Sequence, residues 1–344
     1  MSASSPLLTL LFAAAAALAP QTPPAPAAPQ APPAPAPKSA AQSADAHARF
    51  DAAAKRHQAG DVAGARADFQ ALLDGDPKNG KLALAIAAFL IQARQDFVGG
   101  EPFARHAREL LPDEALAVTM LGGALLGALR VDDAEQVYRD GFAKFPGRAP
   151  LAFGVGMSCA QAKRFLDAKE WFERAIALDP ASPQFHFSNG ENCANLRMYA
   201  QAEAELKKAE PGWPDAGWKL GEVLGRQGKP DEAEQVLRAT LAKSKGSTRW
   251  HAAYQLGVLL FEYARHEEAE SLLRNVTETK PTDQNGWLYY SRVLRARGKK
   301  DEAAAAVKKY QELAAASDRR EDEQLTALIR SQLEEKPPAK PGDH

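Results

Sequence analysis

The chain has 344 residues, of which 45% are hydrophobic and 25% charged, with 43 basic residues against 44 acidic ones. This is the composition of a folded protein, and a net charge of −1 argues against a surface made to grip nucleic acid. Two cysteines and seven histidines are scattered without the spacing of a zinc site, so no metal is expected.

Residues 1–19 contain a thirteen-residue apolar run, Leu7 to Ala19, that ends in Ala17-Leu18-Ala19, a small-x-small cleavage pattern. The run is shorter than the ~20 residues of a membrane-spanning helix, so no stable span is expected. A signal peptide is the expectation, which places the mature protein in the periplasm or outside the cell. Against it stand the lack of Lys or Arg before the run and Pro20 after it; the alternative is an Ala-rich leader on a cytoplasmic protein. Residues 20–44 read as a disordered Pro/Ala-rich linker, with nine prolines between positions 20 and 37. At about 3.1 Å per residue, residues 20–37 in an extended form reach roughly 56 Å.

From residue 45 to 316 a small residue returns on a fixed beat. Ala65, Gly100, Ala134, Ala168, Ala202, Ala233, Ala269 and Ala303 stand 35, 34, 34, 34, 31, 36 and 34 residues apart. Twelve residues before each is another small one: Ala53, Ala88, Gly122, Gly156, Gly190, Gly221, Gly257 and Ser291. Pro77, Pro112, Pro146, Pro180, Pro214 and Pro281 close most units. Small residues let two antiparallel helices approach to roughly 8–10 Å, and proline ends the second helix because it lacks an amide hydrogen. Gly60, Lys163, Arg197, Gly228 and Gly298 are expected in the turns within hairpins. The 31 and 36 spacings predict a short joint at Glu210–Pro214 and a long one at Ala242–Thr248. Self-similarity at this period predicts eight stacked helical hairpins. Residues 317–336, with Leu325, Leu328, Ile329 and Leu333 as an apolar stripe, predict a capping helix, and 337–344 a disordered tail.

The pattern resembles the tetratricopeptide repeat family, W-x2-L-G-x2-Y, then A-x3-F, then P, over 34 residues. Phe153 to Pro180 carries it most fully, with Val155-Gly156, Phe165, Ala168, Phe172, Ala175 and Pro180 at the expected offsets. The resemblance implies an all-α fold, an α-solenoid coiled as a right-handed superhelix of hairpins. It also implies that the fifth residue of each unit faces a concave groove. Those places hold Phe50, Ala85, Thr119, Phe153, Phe187, Trp218, Tyr254 and Leu288, five of them aromatic. Two readings of the rings stand open: they grip a partner, or they pack between neighbouring first helices. Further groove places hold Glu191, Asn195, Glu222, Arg226, Arg292 and Arg295.

Cys159 and Cys193 are 34 residues apart and occupy the same place in neighbouring units. Equivalent helices lie on the order of 10 Å apart, beyond the ~7 Å limit for a disulfide, so two buried free thiols are expected. Unpaired cysteines lean toward the cytoplasm and against export. No H-E-x-x-H, G-x-S-x-G or G-x-x-x-x-G-K occurs, and the carboxylates sit in turns such as Asp231-Glu232-Ala233, so neither catalysis nor a cofactor is expected. The sequence predicts a scaffold that binds another protein or a peptide segment in its groove, in a bacterial envelope. The alternatives are a small molecule or glycan stacked on the rings, or a structural spacer.

Overall fold

The structure, a computed structural model, describes residues 40–334. The proposed signal segment, the linker up to residue 39 and the tail lie outside the described residues. Sixteen α-helices and no strand occur among the described residues. They divide between two compact units, Met1–Trp213 and Pro214–His344.

The N-terminal unit holds five hairpins. They are α1 (Ala40–Gln58) with α2 (Val62–Asp74), α3 (Gly80–Ala88, continued by a π-turn Phe89–Ala93) with α4 (Phe97–Leu110), and α5 (Ala115–Gly127) with α6 (Val131–Lys144). Then come α7 (Ala149–Gln161) with α8 (Phe165–Leu178) and α9 (Pro183–Asn195) with α10 (Tyr199–Ala209). The C-terminal unit pairs α11 (Ala216–Arg226) with α12 (Pro230–Lys243), α13 (Gly246–Glu262) with α14 (His266–Thr279), and α15 (Gln284–Ala296) with α16 (Lys300–Glu334). Within each unit consecutive helices pack on one another, the arrangement of an α-solenoid. First helices also touch first helices: α3, α5 and α7 in one unit, α11, α13 and α15 in the other. The segment expected as a separate capping helix is the continuation of α16, which runs unbroken from Lys300.

The small-residue beat has a sharper cause than the crossing of two small residues. A Cβ on Gly156 would lie 2.7 Å from Phe172, and one on Gly190 2.7 Å from Leu206. The first-helix glycine therefore receives the side chain sixteen residues later, one turn beyond the beat alanine. Ala65, Ala134, Ala168, Ala202, Ala233 and Ala269 are fully buried beside it. Hairpin two departs from the expected register, because Ala87, not Ala88, is its buried small residue. The π-turn takes up the extra residue, so Asp96 N–H reaches back six residues to Leu90, where Arg164 reaches five, to Cys159.

All eight turns within hairpins contain one residue of positive φ: Gly60, Gln95, Leu129, Lys163, Arg197, Gly228, Ala264 and Gly298. Each stands five residues before the beat residue, and its neighbour's N–H caps the first helix, as Arg130 does on Leu125 at 2.9 Å. The expected long joint near Ala242–Thr248 is largely helix, since α13 starts at Gly246 and spans 17 residues. The short joint leaves six residues between α10 and α11.

Charged rungs tie neighbouring second helices together, and the sequence reading missed them. The residue after each beat residue is often acidic, and the residue four before the next beat is often basic. Arg130 reaches Glu101 at 2.9 Å, Arg164 pairs with Glu135, Arg265 reaches Glu234 at 2.6 Å, and Lys299 reaches Glu270 at 2.8 Å. Each of these carboxylates also holds an arginine one turn on: Arg105, Arg139, Arg238 or Arg274. Burial raises the proton affinity of Glu135, Glu234 and Glu270, yet their cationic partners outweigh it and hold all three below the ordinary carboxylate range.

Candidate functional site

The proposed groove residues separate into core and surface once their neighbours are known. Phe153 is 0% exposed, with its ring stacked 4.7 Å from Phe185 and 5.5 Å from Phe172. Phe187 is 3% exposed and lies 5.8 Å from Trp213. These two rings fill the space between hairpins and are not open to a partner. The packing alternative accounts for both: Phe185 on the adjacent first helix covers Phe153, and Trp213, in the joint after α10, lies against Phe187. Phe50 is half-buried, edge-on to Phe69 at 5.2 Å and Phe89 at 5.8 Å. Thr119 is buried and bonds Ala115 O, while Ala85 is exposed. On α9, Glu191 is half-buried and Asn195 exposed.

In the C-terminal unit the first helices carry a continuous cluster of rings and charges. Trp218 of α11 stacks on His251 of α13 at 4.7 Å and 17°, and its Nε1 donates to Asp215 Oδ1 at 3.0 Å. Thr248 donates to the same carboxylate oxygen at 2.7 Å, which fixes the start of α13 against α11. Trp250 lies parallel to Tyr254 at 5.7 Å, and Tyr254 meets Tyr289 of α15 edge-on at 5.8 Å. Trp218 is 9% exposed; Trp250, Tyr254 and Tyr289 are half-buried. Burial raises the Tyr254 phenol above its ordinary value and lowers the His251 imidazole, so both are neutral at pH 7.

Cations lie on this cluster. Lys219 Nζ is 5.3 Å from the Trp218 ring and 3.0 Å from Glu222, and Lys280 is 4.6 Å from Trp250. The Arg292 guanidinium stands 5.0 Å from the Tyr289 ring. Arg226, Arg292 and Arg295 are exposed, Glu222 half-buried. The structure thus brings Trp218, Tyr254, Glu222 and Arg292 onto neighbouring first helices, together with Trp250, His251 and Tyr289, which the fifth-residue rule did not select. Their signal in the sequence was the density of aromatics between Trp250 and Tyr290.

The thiols of Cys159 and Cys193 are free and buried, as expected from their spacing. Burial pushes both up to about 11, so neither is a nucleophile at neutral pH. Among the described residues no group of His, Cys, Asp or Glu is placed to hold a metal ion. No described helix is long and apolar enough to cross a membrane.

No curated protein matches the sequence significantly. Among solved structures, a tetratricopeptide repeat protein from Parabacteroides merdae is similar, with TM-score 0.54 and 10% identity, over 72% of this chain and 98% of that one. The Cut9–Hcn1 hetero-tetramer of APC/C is similar with TM-score 0.52 and 17% identity, over 74% of this chain and 50% of that one. Both show the fold alone. Family models described as tetratricopeptide repeat match residues 119–183 and 254–318, and another matches 196–256, together more than half of the chain. With the eight hairpins, the buried alanine beat and these matches, the chain belongs to the tetratricopeptide repeat family.

Proposed function

We propose that this protein is a non-enzymatic scaffold that holds a segment of another protein against the first-helix face of α11, α13 and α15. The observation that supports this most is the cluster of half-exposed rings, Trp250, Tyr254 and Tyr289, beside exposed Arg226, Arg292 and Arg295. Aromatic and arginine side chains dominate the energetics of protein interfaces. Mixed charge from Glu222 and the arginines suits a partner that offers both apolar side chains and polar main-chain groups. In the N-terminal unit, Phe50, Ala85, Glu191 and Asn195 are the proposed groove places that keep some exposure. A glycan reading has less support, because His251 stacks on Trp218 and Lys219 also approaches its ring. The apolar run Leu7–Ala19 supports a role in a bacterial envelope.

The test uses a partner identified by copurification with the full chain from its native extract. Tyr254→Ala combined with Arg292→Glu weakens that partner by roughly thirtyfold or more, about 2 kcal/mol, while helicity is unchanged. An affinity equal to that of the unmodified protein refutes this face as the binding surface.

A further inference from the structure

Three joints at the ends of hairpins in the N-terminal unit line a half-open pocket of ≈ 510 Å³, within the range of about 300–1,000 Å³ for ligand sites. The joints are those that lead into α7, into α9 and out of α10, and Pro150, Leu178, Pro183 and Phe185 give the cavity apolar walls. Gln184 and Trp213 also line it. Gln184 is 3% exposed, yet neither its Nε2 nor its Oε1 has a hydrogen-bond partner. Trp213 Nε1 is likewise buried without a partner, as is the hydroxyl of Ser188 one turn along α9. Buried polar groups are nearly always paired, and leaving them unpaired is unfavourable. A whole carboxamide and an indole N–H thus stand unpaired in the walls of one pocket, where a ligand with amide donors and acceptors would satisfy them.

We propose that this cavity binds an extended, proline-containing peptide segment through its main-chain amides. A carboxamide has the donor and acceptor pattern of a peptide bond, so Gln184 matches a backbone C=O and N–H. Gln184 and Trp213 together offer three N–H donors against a single acceptor oxygen with two lone pairs. The complement is a chain with more carbonyls than N–H groups, which is the property that proline confers. Proline rings also suit walls built from Pro150, Pro183, Phe185 and the Trp213 indole. Arg148 and Asp179, one charge of each sign, border the cavity, which favours an uncharged segment. The amide atoms and the indole N–H are all covered in this structure, so binding turns both the Gln184 and the Trp213 side chains toward the ligand, rotamer changes of the kind common at interfaces. This site lies wholly in the N-terminal unit and is independent of the aromatic face of the other unit.

The experiment titrates the full-length protein with acetyl-Ala-Pro-Ala-Pro-Ala-Pro-amide and, separately, with the same hexapeptide carrying glycine in place of every proline. The readout is the indole N–H resonance of Trp213, assigned by its loss in Trp213→Phe. The expected result is a saturable shift with the proline peptide and a response at least tenfold weaker with the control. Gln184→Leu abolishes the shift, while its melting temperature equals or exceeds that of the unmodified protein because an unpaired amide is gone. No saturable shift, an equal response to both peptides, or undiminished binding by Gln184→Leu overturns the proposal. A fall of many degrees in the melting temperature of Gln184→Leu overturns it too, since Gln184 is then a structural residue.

Discussion

Phe153 gives the clearest test of which aromatics are core. Its ring is fully buried, stacked on Phe185 at 4.7 Å and tilted against Phe172 at 5.5 Å. Truncation to Ala removes the ring and leaves a cavity between α7, α8 and α9, which costs about 3–5 kcal/mol. For a folded unit of roughly 150–250 residues, each kcal/mol lowers the midpoint by about 2–4 °C, so the N-terminal unit melts roughly 10 °C earlier. Tyr254 is half-buried on a surface cluster, and Tyr254→Ala moves the midpoint by only about 2–4 °C. Differential scanning calorimetry of both variants, with partner affinity measured well below either midpoint, separates the two roles. Phe153→Ala keeps its partner affinity and loses stability. If Phe153→Ala melts within about 2 °C of the unmodified chain, the ring is not the packing element described here. Loss of affinity in the fully folded variant refutes the division between core and face.

Two other outcomes follow from the turns and the charged rungs. Leu129 has φ 64° and is 71% exposed, so its side chain packs little while its backbone is strained. Leu129→Gly removes about 1–2 kcal/mol of strain against about 0.4–1 kcal/mol of added unfolded-chain freedom, and a net gain in urea-unfolding free energy is expected; a loss refutes the strain argument. Glu270, with a 4% exposed side chain, faces Arg274, Arg297 and Lys299. Its proton affinity is lower folded than unfolded, so its stabilisation is complete above the unfolded value of about 4.3 and fades as pH falls through the lower folded value. Glu270→Gln therefore lowers the melting temperature at pH 7 and narrows the difference between pH 7 and pH 3; an unchanged pH profile argues against the rung.

The amino-acid sequence by itself determined the helices, their pairing and their register. These rest on local rules that repeat: a small residue where a side chain from the partner helix must enter, a left-handed turn five residues before the alanine, a proline after the second helix. Eight copies of a local rule are legible because each copy supports the others. Even there the buried small residue is Ala87 and not Ala88, since the π-turn Phe89–Ala93 widens the helix locally and so takes in one extra residue. What each residue on the first helices faces was decided only by the tertiary structure. Phe153 and Tyr254 hold the same place in the repeat, yet one is sealed by Phe185 while the other remains half-exposed. The unpaired Gln184 and Trp213 were invisible for the same reason. Burial and hydrogen-bond satisfaction depend on neighbours that a position within a repeat does not specify.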